Sequence, residues 1–359
     1  MSQSVVIAGA GLSGATAARI LADAGLDVLI CEKRPYVGGN SADCYDQHGV
    51  MVHRFGPHAF HTSDPEVWAF VNRFAKFNNY WHKVMAVLGS KILPIPVNLV
   101  TIEKAYANPH MIFHAKHGRY TIRQLMNHED PEMKKLGHWV WDNFYLGYSS
   151  KQWGLHPKDL PDWIIDRVPV VFNREPYYHA LDKWQGLPIG GYTAMVERML
   201  DHPKIVLKLN EEVTLDSASL IYTGSLDSLF GYRHGTLPYR SLRFEWEHSK
   251  SGPMQKCAQY NYPDVTDKFT RIIEFRHMTD DLGWRGATTL CREYPAEKGE
   301  PFYPVAGEEA ARLHDQYKRS AEKAGVWCLG RLAQYKYINM DQAIKQAMEM
   351  AKKFLETAK

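Results

Sequence analysis

The chain has 359 residues, 45% hydrophobic and 23% charged, which is enough to bury a substantial core and to divide into two or three domains. Its 43 basic and 40 acidic residues leave a net charge of +3 without a basic block or acidic tail, so bulk charge gives no case for a nucleic-acid or membrane-surface binder. Five cysteines with no CxxC pair read as reduced thiols, no apolar run approaches the roughly 20 residues of a membrane span, and a strand pattern begins almost at once with no leader. A cytoplasmic protein without a metal site is expected.

Ser4 to Ala8 is a buried-strand pattern running into Gly9-Ala10-Gly11-Leu12-Ser13-Gly14, and ATAARILADAG then reads as a helix closed by Gly25. DVLICE forms a second strand ending at Glu32. Gly9 allows a tight turn, Gly11 lets backbone approach a pyrophosphate, and Gly14 lets helix and strand pack closely. Free N–H groups at the helix start suit phosphate, and Glu32 stands where a ribose hydroxyl would be met. A glycine-rich turn without a ligand is the plainer reading of GxGxxG alone. Here strand, helix, second strand and acidic residue all fall inside one βαβ length. The stretch Lys33-Arg34-Pro35-Tyr36-Val37-Gly38-Gly39-Asn40 adds a second glycine pair. That addition resembles the FAD-binding glutathione-reductase-like and amine-oxidase-like folds rather than nicotinamide dehydrogenases.

Further on, Asp64 to Lys76 reads as a helix, and residues 82–97, with Gly89-Ser90 between two apolar runs, read as a hairpin. Residues 97–166 carry helical periodicity and few glycines, which predicts a helical insert. KIVLKL, SLIYTG, YRSLRFEWEH, KFTRIIEFRH and GATTLCREY return to strand patterns. The last part predicts a strand, a Gly330-Arg331 turn and a long terminal helix. No repeat or low-complexity linker separates these pieces, so a dinucleotide fold interrupted by insertions is expected.

Several motifs together resemble the UDP-galactopyranose mutase family over nearly the whole chain. They are the fingerprint with GGN, Gly56-Pro57-His58-Ala59-Phe60-His61-Thr62, Leu93 to Asn98, Gly147-Tyr148-Ser149-Ser150-Lys151-Gln152-Trp153-Gly154, Gly190-Gly191-Tyr192-Thr193, Tyr222 to Asp227 and Gly330 to Tyr337. The resemblance implies an α/β fold: a discontinuous Rossmann-like FAD-binding domain (1–80, 186–232, 322–359), a helical bundle (97–166) and a twisted antiparallel-sheet domain (81–96, 167–185, 233–321). It also implies a cytoplasmic isomerase that interconverts pyranose and furanose forms of a nucleotide-diphosphate sugar, such as UDP-galactose, for polysaccharide and cell-wall synthesis. N5 of reduced FAD would attack C1 and carry the sugar covalently while its ring opens and recloses. An external reductant for the flavin is implied, and a homodimer is compatible with it.

By the same resemblance, Arg271, Arg331, Tyr303, Tyr337 and His58 are the catalytic candidates. Phe144, Tyr148, Trp153, Arg174, His82 and Asn261 are the substrate-binding ones. Gly9, Gly11, Ser13, Gly14, Glu32, Lys33, Gly39, Asn40, His58, His61, Gly224, Gly330, Arg331 and Met340 would hold the cofactor. Aromatic side chains give flat bases and amphipathic sugars broad contact with little entropy to lose. Without the motif, Phe144 and Tyr145 read as helix core, and Tyr145 keeps that reading.

The chain also departs from the family pattern. Val171 stands where an arginine reaching the diphosphate is usual, with Arg174 three residues on, and Arg-Glu-Pro-Tyr-Tyr suggests a loop that could bring Arg174 back. His82 replaces an asparagine, Phe275-Arg276-His277 a His-Lys pair, and Asn339 an aspartate. Two other readings share parts of the sequence. One is a redox flavoenzyme of the amine-oxidase or desaturase type, and the other is a flavin-free binding protein like the GDP-dissociation inhibitors.

Overall fold

The computed structural model describes residues 4–109, 118–215, 219–279, 286–305 and 307–357. They fall into two compact units, one built from Met1–Asn79, Lys183–Ser241 and Lys298–Lys359, the other from Tyr80–Asp182 and Leu242–Glu297. The helical stretch and most of the sheet stretch lie together in the second unit. Among the described residues no helix is long and apolar enough to cross a membrane.

The first unit centres on a five-stranded parallel sheet in the order Ile205–Leu209, Asp27–Glu32, Ser4–Ala8, Leu220–Tyr222, Trp327–Cys328. Val6 stands between Leu29 and Leu220 in its register. Parallel strands buried on both faces read as apolar runs, which is why SVVIA and DVLICE were recognisable. The helix Leu12–Asp23 begins inside the fingerprint and buries the small Ala15, Ala17 and Ala18 beside Leu21. These small residues let the long helix Met340–Thr357 pack alongside it. Glu308–Lys323 adds a further helix, which the strand-oriented reading of residues 233–321 did not anticipate. Its apolar positions are thinly spread, and only Ala310, Tyr317 and Ala321 are buried.

The helix expected over 64–76 is shorter, Pro65–Val71. Asp64 caps it by accepting from the amides of Glu66 and Val67, with proline at the first position.

In the second unit neighbouring strands run in the order 242–252, Gly286–Ala296, Arg271–Glu274, Gln259–Asn261, Val84–Leu88, Lys91–Ile95. The predicted hairpin is present, Val84–Leu88 against Lys91–Ile95. The sheet is not wholly antiparallel, because Gln259–Asn261 pairs parallel with Val84–Leu88. KFTRIIEFRH is strand only over Arg271–Glu274, and Arg276–Thr279 turns helical. Buried Glu274 sits at that change, accepting from the amides of Met254 and Gln255 and from His277.

The helical insert holds Leu99–Ala105, Ile122–Met126, Pro131–Val140, Leu146–Trp153 and Asp162–Ile165. Between Val140 and Leu146 the helix widens into a π turn, Trp141–Tyr145. Such turns insert a residue into the helical register and are frequent at functional sites.

Candidate active site

The fingerprint glycines are required by geometry. Gly9 has φ +100°, and a Cβ there would lie 2.1 Å from the Thr223 hydroxyl oxygen. One on Gly14 would lie 1.9 Å from the Gly9 carbonyl oxygen. Gly11 bridges to Gly38, and a Cβ on Gly39 would come within 2.9 Å of the Gly11 Cα, so the second glycine pair closes onto the first loop as the sequence suggested. Gly330, at φ +83°, brings its turn against Ser13. Fingerprint, GGN, Thr223-Gly224 and Gly330-Arg331 therefore meet in one backbone cradle.

Glu32 is buried and accepts from the amides of Ala10 (2.8 Å) and Arg34 (3.0 Å). Its carboxylate thus ties the glycine loop to the second strand, and two oxygens with about four lone-pair sites leave room for a ribose hydroxyl. Lys33 and Arg34 both pair with Glu300, and Arg34 also donates to Asn40.

Arg331 is held at both ends, donating to the carbonyls of Phe302 (3.3 Å) and Ile338 (2.8 Å). Its guanidinium lies 4.9 Å from the Tyr337 ring centroid and 5.5 Å from that of Tyr303, and the two rings stack at 5.7 Å. Met340 opens the terminal helix, and Asn339 precedes it with its amide donating to Gln342. That bond uses the backbone N–H of residue 339, so it does not depend on the side chain there.

Sequence reading missed His53, which is fully buried in the strand Met51–His53. Its Nδ1 accepts the amide of His58 (2.9 Å), while His58 Nδ1 meets the Gly56 carbonyl (2.8 Å) and Tyr192 donates to the His58 carbonyl. Three contacts thus fix His58 on its loop. His61 lies in the strand Phe60–Thr62, opposite Gln185.

Burial pulls the His53 pKa down to about 3 from an ordinary 6.5. The unfolded chain then binds a proton that the native state refuses, so this contribution is intact above about pH 6.5 and is lost as pH falls toward 3. Unfolding titrations at pH 6.5 and pH 5 should show the wild type losing about 2 kcal/mol more than His53→Gln, at about 1.4 kcal/mol per unit. Equal losses in both proteins would refute the assignment.

In the second unit, Asn261, Arg271 and Glu293 stand directly opposite one another on three neighbouring strands, and so share one face. Arg271 donates to the fully buried Glu293 at 2.7 Å. That carboxylate, also missed from sequence, aims the guanidinium. Phe144 lies in the π turn, buried and edge-on to Trp139. Tyr148 and Trp153 follow on the helix Leu146–Trp153, Tyr148 half-buried and Trp153 buried, and Gly154 ends that helix at φ +67°. Tyr145 is buried and donates to the Val168 carbonyl, in keeping with its core reading.

Lys151, on the same helix, donates to four backbone carbonyls. Burial lowers its pKa to about 8, while the nearby Asp267 and Asp264 carboxylates favour the charged form. It is an ammonium at neutral pH.

His82 is buried, bonded to Tyr80 and ringed by Tyr178 and His179. A loop does follow Val171, but Arg174 is exposed and paired with Glu103 at 2.5 Å. Glu103 therefore holds it at the surface, and reaching a phosphate would compete with that contact. Opposite Val171 in the ladder stands Arg119. Phe275, in place of a histidine, is core.

Comparison with known proteins accords with this arrangement. The profile of the UDP-galactopyranose mutase family matches residues 143–337, and that of an NAD(P)-binding Rossmann-like domain matches 7–74. The chain is 35% identical to a probable UDP-galactopyranose mutase of Klebsiella pneumoniae, covering 99% of this chain and 96% of that one. It is 33% identical to a dTDP-fucopyranose mutase of Escherichia coli, covering 99% of both. A crystal structure of reduced UDP-galactopyranose mutase superimposes with a TM-score of 0.78 at 16% identity, over 99% of this chain and 94% of that one. With its length, its motifs and its fold all matched, the chain belongs to the UDP-galactopyranose mutase family and is an isomerase.

Proposed function

We propose that the protein interconverts the pyranose and furanose forms of a nucleoside-diphosphate sugar, UDP-galactose or a close relative, with FAD as its cofactor. The observation that carries this reading is full-length likeness to two mutases whose names share a pyranose substrate but differ in base and sugar. The reaction moves the ring bond at C1 from O5 to O4, with a proton passing from O4 to O5 and no net change in electrons. The C1 bond to the diphosphate must break and re-form, so the protein has to hold a diphosphate that is a dianion while joined to the sugar and gains a third negative charge as it leaves.

Arg271, aimed by Glu293, and Arg331, backed by Tyr303 and Tyr337, are the cations proposed for that charge, with the two tyrosine hydroxyls as further donors. Phe144, Tyr148 and Trp153 would take the flat base and the sugar, with Asn261 and His82 as polar contacts and Arg174 as an exchangeable charge.

The cradle fits a dinucleotide, since side chains at Gly9, Gly14 and Gly39 would fill or break the surface that must approach the pyrophosphate. Gly11, Ser13, Glu32, Lys33, Asn40, Gly224, Gly330, Arg331 and Met340 complete the proposed FAD set, with His58 and His61 beside the ring system. Bound and reduced, the flavin held by these residues would supply a nucleophilic nitrogen for C1. The reductant would be external and the compartment cytoplasmic.

The test is anaerobic incubation of dithionite-reduced protein with UDP-galactose, dTDP-fucose and related sugars, scoring furanose products. Many turnovers per flavin without further donor are expected on at least one sugar, and none from oxidised protein. Product stopping at one equivalent, or equal activity when oxidised, would favour the redox reading. Colourless protein that binds no FAD would favour a binding protein.

A further inference from the structure

Lys151 lies on the helix Leu146–Trp153, three residues after Tyr148 and two before Trp153. Its ammonium meets the carbonyls of Tyr262 (2.6 Å), Asp264 (2.6 Å), Asp267 (3.0 Å) and Phe269 (3.0 Å). All four belong to the turn 262–269, which joins the strand Gln259–Asn261 to Arg271–Glu274. An ammonium has only three N–H bonds, so four acceptors are held by its charge as much as by direction. Converging carbonyl dipoles repel unless a cation sits among them, and rings of carbonyl oxygens are how proteins replace the hydration shell of potassium.

The same helix touches this turn a second time. A Cβ on Gly147 would come within 2.1 Å of the Pro263 carbonyl oxygen. Gly147 and Lys151 are four apart, on one helical face, so the helix docks on the turn through bare backbone at one point and an ammonium at the next. Across the base of that turn, Asn261 stands opposite Arg271.

We propose that Lys151 is a tethered monovalent cation: it occupies a four-carbonyl cage in the turn 262–269 that would otherwise take potassium or ammonium, and so positions Asn261 and Arg271 relative to Tyr148 and Trp153. Lys151 is a positioning residue, and its effect on turnover rests on the mutase reading, whereas the cage does not. The ammonium's four carbonyl contacts all fall on the turn that begins beside Asn261, so its loss should loosen substrate binding and leave the reacting atoms to other groups. KM should then rise more than kcat falls.

Lys151→Ala removes the tether and leaves room for a free cation. With choline as the only added cation, the amides of 262–269 should exchange hydrogen faster than in the wild type. KM should rise tenfold or more, about 1.4 kcal/mol, with kcat far less affected. Replacing choline by potassium or ammonium at equal ionic strength should restore both protection and KM, and the wild type should not respond. Unchanged protection of 262–269 in the variant, or a loss identical in every salt, overturns the proposal. If Lys151→Ala does not accumulate, Lys151→Met keeps the aliphatic stem, and unchanged protection there overturns it equally. Exchange needs no substrate, so cation-dependent protection without turnover on any sugar would count against the mutase reading and leave the cage standing.

Discussion

Arg271→Ala should lower kcat/KM for the true substrate by about two to three orders of magnitude, the size of effect seen when a preorganised donor to developing charge is removed. The same change should also cost stability. Glu293 is fully buried and its carboxylate faces Arg271 at 2.7 Å, so the variant leaves an uncompensated charge, at about 3–5 kcal/mol. The two losses separate in Arg271→Ala/Glu293→Gln, which should recover much of the denaturant midpoint and none of the activity. Arg271→Ala with efficiency within a few-fold of wild type would remove this arginine from the proposed site. A double variant that regained activity would show that only folding had been lost.

Gly11→Ala should fold and yet purify without flavin, whereas Gly14→Ala should fail to fold. The contrast follows from what each added methyl meets. At Gly11 the backbone is extended, φ −78° and ψ −178°, and the nearest atom to a new Cβ is 3.5 Å away, an ordinary contact. At Gly14 the methyl would sit 1.9 Å from a carbonyl oxygen of the chain itself. A methyl at Gly11 therefore troubles only a molecule laid against the loop. FAD affinity measured on apoprotein should drop by about a hundredfold or more, equal to about 2.7 kcal/mol, with far-UV circular dichroism unchanged. Yellow, flavin-replete Gly11→Ala would move the pyrophosphate away from this glycine.

The parts legible in the sequence share a physical cause. Parallel strands announce themselves as short apolar runs, and glycines mark the places beside them where no Cβ fits, so the first forty residues could be read almost whole. The hairpin at Gly89-Ser90 was visible because its turn interrupts two apolar runs of equal length. What escaped depends on pairing across long sequence separations. Glu293 lies 22 residues from Arg271 and gains meaning only from strand register. His53 looked like any histidine until burial made it a neutral acceptor for His58.

Arg174 shows the opposite case. The loop after Val171 was foreseen, but its guanidinium is taken by Glu103, 71 residues earlier, and no local pattern marks that partner. Lys151 had a motif around it but no visible reason, because its four partners are carbonyls, which every residue has.

The packing of Leu12–Asp23 against Met340–Thr357 has a consequence for biosynthesis. A ribosome emits the first of these helices more than three hundred residues before the last, and at about 5–20 residues per second the early helix waits many seconds with its partner unmade. The fifth strand of the parallel sheet, Trp327–Cys328, is also a late arrival. During that interval the apolar side of the nascent βαβ element lacks the helix that covers it, so this unit cannot complete its packing until Met340–Thr357 has been made. The other unit is in a different position, since all its strands and helices have emerged once residue 297 is clear of the exit tunnel. A stop between residues 298 and 326 would therefore leave every residue of one unit in the chain and remove the strand Trp327–Cys328 and the helix Met340–Thr357 from the other.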